Sequence, residues 1–446
     1  MRRRDFLVGT GAGLGGAGLL SGCGVGTGAA ASAPASAPAG APAATPAPRT
    51  GPWTWEEVRA QFAVNPRLVH MTSFFLCSHP RPVRDAIERH RRAFDDNPVT
   101  YLEENVGRFE KALRRAAADY FEADPDDFAI TDSTSMGLGI VYGGLKLREG
   151  QEILTSTHDH IVTHMALQHR VDRTGAQLRK VALYREPQRA SADEIVGNLE
   201  RSIRPNTRAV AVTWVHSGTG VKLPIRRMAD ALARINARRD EADRALLFVD
   251  GVHGFGVEAE TASSLGCDFF IAGTHKWILG PRGTGLVWAR RQAWPVTSPT
   301  IPSMDGFWRD GGRASMPPSA WMTPGGFQPF EHRWAVEQAF RFHLDIGKQR
   351  VAARIHELNR ACKRALAAIP RVRVKTPMSD ELSAGIVCFD VEGMEPREAV
   401  ARLGAAGVVA SVVPPFYTPL HVRLAPSLLT LESDVDRAIA AVRSLV

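Results

Sequence analysis

Asp268-Phe269-Phe270-Ile271-Ala272-Gly273-Thr274-His275-Lys276-Trp277 is an apolar β-type run that stops at a glycine and delivers a lysine. A short continuous apolar run of this kind predicts a strand buried on both faces. A similar run upstream, Leu246-Leu247-Phe248-Val249-Asp250, ends instead on an aspartate, 26 positions before Lys276. Working outward, β-rich runs at Asp127–Thr131, Glu152–Ser156, Ala209–His216 and Thr284–Ala289 join these two, with helix-like patterns such as Arg226–Arg239 between them. That alternation predicts an α/β layer architecture around a mainly parallel sheet. Beyond Glu331 the pattern becomes helical to about Leu344 and again from Gly347 to Ile369. It then returns to strands at Ala384–Val391 and His421–Leu424 before a last helix at Leu431–Leu445, with Asp434 and Asp436 near its dipole-favoured start.

At 446 residues the chain is long enough for two or three domains. The reading divides it into a leader at 1–22, a linker at 23–52, a large domain at 53–340 and a small C-terminal domain at 341–446. The leader opens Met1-Arg2-Arg3-Arg4-Asp5-Phe6-Leu7 and continues as a glycine-diluted apolar stretch to Leu20, which is similar to a twin-arginine export signal. It is shorter than the roughly 20 apolar residues that a membrane span needs. Leu20-Ser21-Gly22-Cys23 resembles a lipobox, so the expected destination is the periplasm or cell envelope, with a lipid anchor at Cys23; ordinary cleavage near Ala29-Ala30-Ala31 is the alternative. The Ala/Pro/Ser tract that follows cannot bury enough surface to fold and reads as a tether. The match Gly11-Ala12-Gly13-Leu14-Gly15-Gly16 to a dinucleotide fingerprint lies inside this leader without the strand and helix it requires.

Charge narrows the partners. The net charge is +8, and without residues 1–50, which hold four basic and one acidic side chain, it falls to +5. That balance is too weak and dispersed for nucleic-acid binding. Cys77, Cys267, Cys362 and Cys388 are widely spaced with no CxxC, so neither a zinc site nor a compact disulfide framework is indicated.

The chemistry-bearing residues sit where strands end. Only eight of the 55 basic residues are lysines, which makes a lysine wedged between apolar strands less ordinary than an arginine would be. A lysine amine can hold pyridoxal phosphate covalently, and a strand-terminal carboxylate such as Asp250 can keep that cofactor's pyridine nitrogen protonated. A solvated loop lysine and a turn-forming aspartate before Gly251 are the plain alternatives. Ile130-Thr131-Asp132-Ser133-Thr134-Ser135-Met136-Gly137 leaves a strand for a helix, and the hydroxyls of Ser133, Thr134 and Ser135 with the free amides there suit a phosphate. A Ser/Thr N-cap without ligand reads equally well. His160, in Thr157-His158-Asp159-His160, could stack on an aromatic ring or belong to a turn. His253 could bond a cofactor phenolate, orient the aspartate, or be an ordinary buried histidine.

Taken in order, Ser133-Thr134-Ser135, Asp159-His160, His216-Ser217, Asp250-x-x-His253, His275-Lys276-Trp277 and Gly280-Pro281-x-Gly283-x-Gly285 resemble the class V aminotransferase family of pyridoxal phosphate enzymes. The closest flavour is that of isopenicillin N epimerase-like members, over about residues 65–445. The resemblance implies the pyridoxal phosphate-dependent transferase type I fold and a homodimer. It makes Lys276 the cofactor-bearing lysine, Asp250 the pyridinium partner and His160 the stacking ring. It puts Ser217 and His253 near the phenolic oxygen, and Thr134, Ser135 and His275 at the phosphate, with Arg423 binding the substrate carboxylate. The activity it implies lies at the α-carbon of an amino acid or amine, a small-molecule substrate, by transamination or epimerisation. A pyridoxal phosphate-dependent C–S or β-lyase is the alternative, and an exported binding or scaffold protein that retains the fold is the non-enzyme reading. Two departures stand out. Leu403 to Pro426 contains no cysteine for desulfurase chemistry, and Gly325-Gly326-Phe327 stands where many relatives carry a Gly-Thr that touches the partner subunit's phosphate.

Overall fold

Alternate residues of a strand face opposite sides of a sheet, so the bulky apolar runs around Phe248 and Phe269 need cover on both faces. The computed structural model, which describes residues 51–446 apart from 309, 310 and 418 and leaves the side chains of 308 and 313 aside, supplies that cover. The leader, Cys23 and the tract to Thr50 lie outside the described residues. Among the described residues, no helix is long and apolar enough to cross a membrane.

The strands are β1 (Val69–His70), β2 (Phe128–Thr131), β3 (Glu152–Ser156), β4 (Gln177–Val181), β5 (Thr207–Thr213), β6 (Leu246–Asp250), β7 (Phe269–Gly273), β8 (Gly285–Ala289), β9 (Val372–Val374), β10 (Val387–Val391), β11 (Val408–Val409), β12 (Ser411–Val412) and β13 (Val422–Leu424). Seven of them form the main sheet in the order β2-β8-β7-β6-β5-β3-β4. Only β8 runs against its neighbours, pairing antiparallel with β2 and β7. The sheet is therefore mixed but mainly parallel, as in the type I fold. Phe270 packs one face against Phe121 and Phe255, at ring-centroid distances of 4.8 and 5.3 Å. Phe269 stacks on Phe248 on the other face, at 4.7 Å. The register sets the ends of β5 and β6 level, with Thr213 beside Asp250, while Asp250 lies beside Ile271, two residues before the end of β7.

A second, four-stranded sheet, β12-β13-β10-β9, is antiparallel throughout. Leu358 and Leu366 from the helix Lys348–Ala367, and Val435 and Val442 from the helix Glu432–Arg443, close a separate core around Phe389 and Leu424. Val69 and Met71, far earlier in the chain, enter the same core, and β1 pairs parallel with β11.

Differences from the sequence expectation have local causes. The run Ala209–His216 leaves the sheet after Thr213, because Val215 bridges to Lys222 around a turn that closes at Gly220 in left-handed backbone. Strand β4 was invisible to pattern reading, since Gln177-Leu178-Arg179-Lys180-Val181 is a half-exposed sheet edge. Ala384–Val391 becomes regular strand only from Val387, since Gly385 is pressed against the Trp277 indole.

Gly251, directly after Asp250, ties the strand end to the core. A Cβ there would lie 2.0 Å from the Phe270 ring. Gly251→Ala should therefore lower unfolding stability by about 1–3 kcal/mol through overpacking. Chemical denaturation with an unchanged midpoint would show that the strand end is not held as described.

Candidate active site

The turn after β7 is built to present Lys276. Gly273 donates its amide to Thr134 Oγ1 at 2.7 Å, and the amide of Gly280 returns to the Thr274 carbonyl at 2.8 Å. The Leu279 amide closes a tight turn on the Lys276 carbonyl, and Leu279 sits in left-handed backbone with φ +66°, an uncommon conformation for a branched residue. The Lys276 amine lies 3.4 Å from His253 Nε2. Burial disfavours its charge and Arg423 adds repulsion, while Asp250 pulls the other way; the net effect moves its pKa down to about 8. A substantial neutral fraction at physiological pH is the consequence.

Asp250 is the complementary case. Its carboxyl is almost wholly buried and accepts the amide of Val252 at 3.2 Å. Burial dominates over that hydrogen bond and over Lys276, raising its pKa to about 6. Among the described residues no ion pair joins Asp250 to Lys276, so ammonium and carboxyl share the space without closing on each other. Beside them the hydroxyl of Thr213, buried at the end of β5, has no hydrogen-bond partner among the described residues.

All nine sequence-predicted cofactor contacts face one cleft with about 530 Å³ of empty space. Ser133 caps the helix Thr134–Gly144 by accepting the Met136 amide at 3.1 Å. The amides of Thr134 and Ser135 belong to the first turn, where the helix offers them no acceptor. They point with the positive end of the helix dipole toward the cleft, an arrangement suited to an anion. His275 lines the same cleft, its pKa pushed down to about 4 by burial and by Lys276.

The two histidines around Asp159 part company. His158 stacks on Tyr184 with ring centroids 3.9 Å apart, whereas His160 reaches the cleft. His160 Nδ1 accepts the Val162 amide at 3.2 Å, and burial followed by repulsion from Lys276 and Arg423 keeps the ring neutral, with a pKa near 4. Asp159 accepts hydrogen bonds from Thr155 Oγ1, the Ser156 amide and the Thr213 amide, and so locks the end of β3 to the end of β5.

Arg423 is not part of the cleft wall and reaches it through Ser217. Its Nη1 donates to Ser217 Oγ at 2.7 Å and Nη2 to Ser411 Oγ at 3.1 Å, while the guanidinium lies 4.0 Å over the Phe74 ring. Its Nε is buried without an acceptor among the described residues. Sequence reading missed Thr213, because the run through His216 hid the fact that the strand ends there. It also missed the indole of Trp277, which donates to His253 Nδ1 at 3.3 Å, and Phe416, which meets His160 edge-on at 4.9 Å.

Fold and cleft together define a pyridoxal phosphate-dependent enzyme of the type I fold. The Aminotransferase class-V family model matches residues 79–425, and the chain belongs to that family. It is 25% identical to isopenicillin N epimerase of Streptomyces clavuligerus over 88% of this chain and 98% of that one. It is 24% identical to a probable cysteine desulfurase of Halobacterium salinarum, over 88% and 96%. Among solved structures, a C-DES variant with glycine covalently linked to its pyridoxal phosphate superimposes with a TM-score of 0.78 at 20% identity, covering 86% of this chain and 98% of that chain. The cysteine desulfurase CsdA of Escherichia coli gives 0.74 at 20% identity, covering 88% and 98%. Pyridoxal phosphate is the cofactor. The residues present fit it: a buried carboxyl short of a cationic partner, a buried amine, an orphaned hydroxyl at Thr213 and unpaired helix amides meet in one cleft.

The raised pKa of Asp250 has a definite sign in stability. In the cofactor-free protein its contribution is fully present below the unfolded value near 3.8 and is lost as pH rises through about 6. At pH 7 the buried carboxylate is therefore a cost, on the order of 1–3 kcal/mol. Asp250→Asn should stabilise the cofactor-free protein at pH 7 and lose that advantage near pH 4. A thermal or denaturant titration in which the substitution destabilises at both pH values would contradict this.

Proposed function

We propose that this chain is an exported pyridoxal phosphate enzyme that moves the α-proton of an amino acid or amine, by transamination or epimerisation. The observation that carries the reading is the Lys276 amine, brought down to about pKa 8 in the same cleft as the buried Asp250 carboxyl. Lys276 is the covalent attachment point in this reading, with Asp250 at the pyridine nitrogen and His160 against the ring. Ser217 and His253 serve the phenolic oxygen. Ser133, Thr134, Ser135 and His275 hold the phosphate. When bound, the cofactor supplies an electron sink for the pair released at the substrate's α-carbon.

The chain's own groups do the rest. Arg423 binds the substrate carboxylate in this reading, and to do so its guanidinium must exchange part of its present hold on Ser217, Ser411 and Val412, since only Nε is without an acceptor among the described residues. Lys276, neutral in part at pH 7, takes the proton from the α-carbon and can return it there. Phe416, partly exposed and edge-on to His160, would narrow the approach to that ring.

Cysteine desulfuration through a mobile thiol is the less favoured reading despite the named relatives. Cys77, Cys267, Cys362 and Cys388 are all buried, and burial pushes each thiol up, to about 12 for Cys77, Cys362 and Cys388. A protonated, enclosed thiol is a poor nucleophile. Lyase chemistry that needs no protein thiol stays as the second reading, since one structure with the same fold, C-DES, is described as a cystine C–S lyase. The homodimer of the family is proposed here as well, with exposed Val99 and Phe327 among its candidate contacts.

Incubation of the cofactor-loaded protein with pooled amino acids in deuterium oxide should place deuterium on the α-carbon of at least one of them. Lys276→Ala should lose that exchange by roughly 10²- to 10⁴-fold. Mass and chirality of the products separate the outcomes: a 2-oxo acid means transamination, an inverted centre epimerisation, and a released thiol lyase chemistry. No exchange with any amino acid or amine would sink the reading. For the export proposal, the full chain expressed in a bacterium with a twin-arginine route should take up labelled fatty acid, and Cys23→Ser should abolish the label; unlabelled chain at the envelope would contradict the anchor.

A further inference from the structure

His253 stands between two side chains whose hydrogen-bonding abilities differ in kind. On one side Trp277 Nε1 is 3.3 Å from His253 Nδ1; on the other, Lys276 Nζ is 3.4 Å from His253 Nε2. An indole nitrogen can only donate. The Nδ1 it faces must therefore accept, which leaves the ring's single proton on Nε2.

The geometry points to Trp277 as a positioning residue that fixes His253 in the Nε2–H tautomer, so that a neutral donor, and never a lone pair, is aimed at Lys276 and at the cofactor's phenolic edge. This deepens the proposed function, and only its catalytic meaning rests on that reading. An Nε2–H group can donate to an uncharged lysine amine but opposes an ammonium. Trp277 thus acts through His253 to favour the free base of Lys276. The same tautomer bars His253 from taking a proton at Nε2, which leaves Lys276 as the base at that edge. The remaining groups that face this pair are Asp250 from the end of β6, Arg423 from β13, His160 and His275.

Packing supports a fixed indole. Trp277 is buried, and its ring lies so close to Gly385 that a Cβ there would be 2.4 Å from Cη2. Its carbonyl carbon approaches Gly256, which has φ +94°, so closely that a Cβ would be 2.5 Å away. The Asp250–Gly256 segment and the Lys276–Leu279 turn are thereby pressed together, which holds the indole against His253.

The test uses the purified full chain without cofactor. In solid-state nitrogen NMR of histidine-labelled protein, with His253→Leu identifying the signal, Nδ1 of His253 should be unprotonated and Nε2 protonated; the reverse assignment overturns the proposal. The amine pKa of Lys276 is read from the pH dependence of its acetylation, followed by mass spectrometry with exposed Lys111 as reference. Trp277→Phe, which keeps an aromatic ring of smaller size and removes the donor, should raise that pKa by about one unit, a tenfold gain in proton affinity. The same substitution in the His253→Leu background should change nothing. A rise that persists without His253 would mean that Trp277 acts by packing alone and would overturn the relay, as would no rise with His253 present. The NMR assignment on the unsubstituted protein decides the tautomer even if Trp277→Phe folds poorly, and it is independent of whether Lys276 carries the cofactor.

Discussion

The structure depends on one electrostatic constraint: an amine and a carboxyl are held in the same water-poor cleft without forming an ion pair. Removing both charges from water moves Lys276 down and Asp250 up in pKa, and mutual attraction only partly offsets this. Such a site is costly to an empty protein and profits from a ligand that is cationic at one end and reacts with an amine at the other. The surrounding architecture serves that arrangement. Parallel strands β5 and β6 end level and β7 runs two residues further, the apolar faces of Phe248, Phe269 and Phe270 keep solvent away from below, and a strained turn at Leu279 presents the lysine.

Much of this was legible in the sequence because the strands that carry the chemistry are the most buried. Leu246–Asp250 and Glu152–Ser156 appear with the boundaries that their apolar runs suggested, and the three helices expected after Glu331 fall within a residue or two of expectation, whereas the helix Pro396–Ala405 was not singled out. The edge strand β4 escaped, because an exposed Arg-Lys segment carries no apolar period. The nine cofactor-contact candidates converge on one cleft, since motif residues at strand ends in a parallel sheet are brought to one side by topology. What could not be read was orientation: that His158 turns to Tyr184 while His160 faces inward, that Arg423 approaches through Ser217, and that Trp277 bonds His253. Those depend on side-chain packing between segments far apart in the chain.

The fold alone does not choose the reaction, because one scaffold hosts many chemistries. The named relatives include an epimerase and desulfurases at similar distances. The discriminating features are local. The segment between β12 and β13 carries Phe416 and Tyr417 and no cysteine, and the buried thiols elsewhere are protonated. These features support the proposed proton movement at carbon over sulfur capture by a protein thiol. Burial pushes the pKa values of His160, His253 and His275 down, which leaves Lys276 the strongest base among these groups.

The most direct measurement is borohydride reduction of the cofactor-loaded protein followed by peptide mass mapping across its eight lysines. The account predicts one stable pyridoxyl adduct, on the peptide that carries Lys276. An adduct confined to another lysine, or protein that binds the cofactor and yields none, would contradict it.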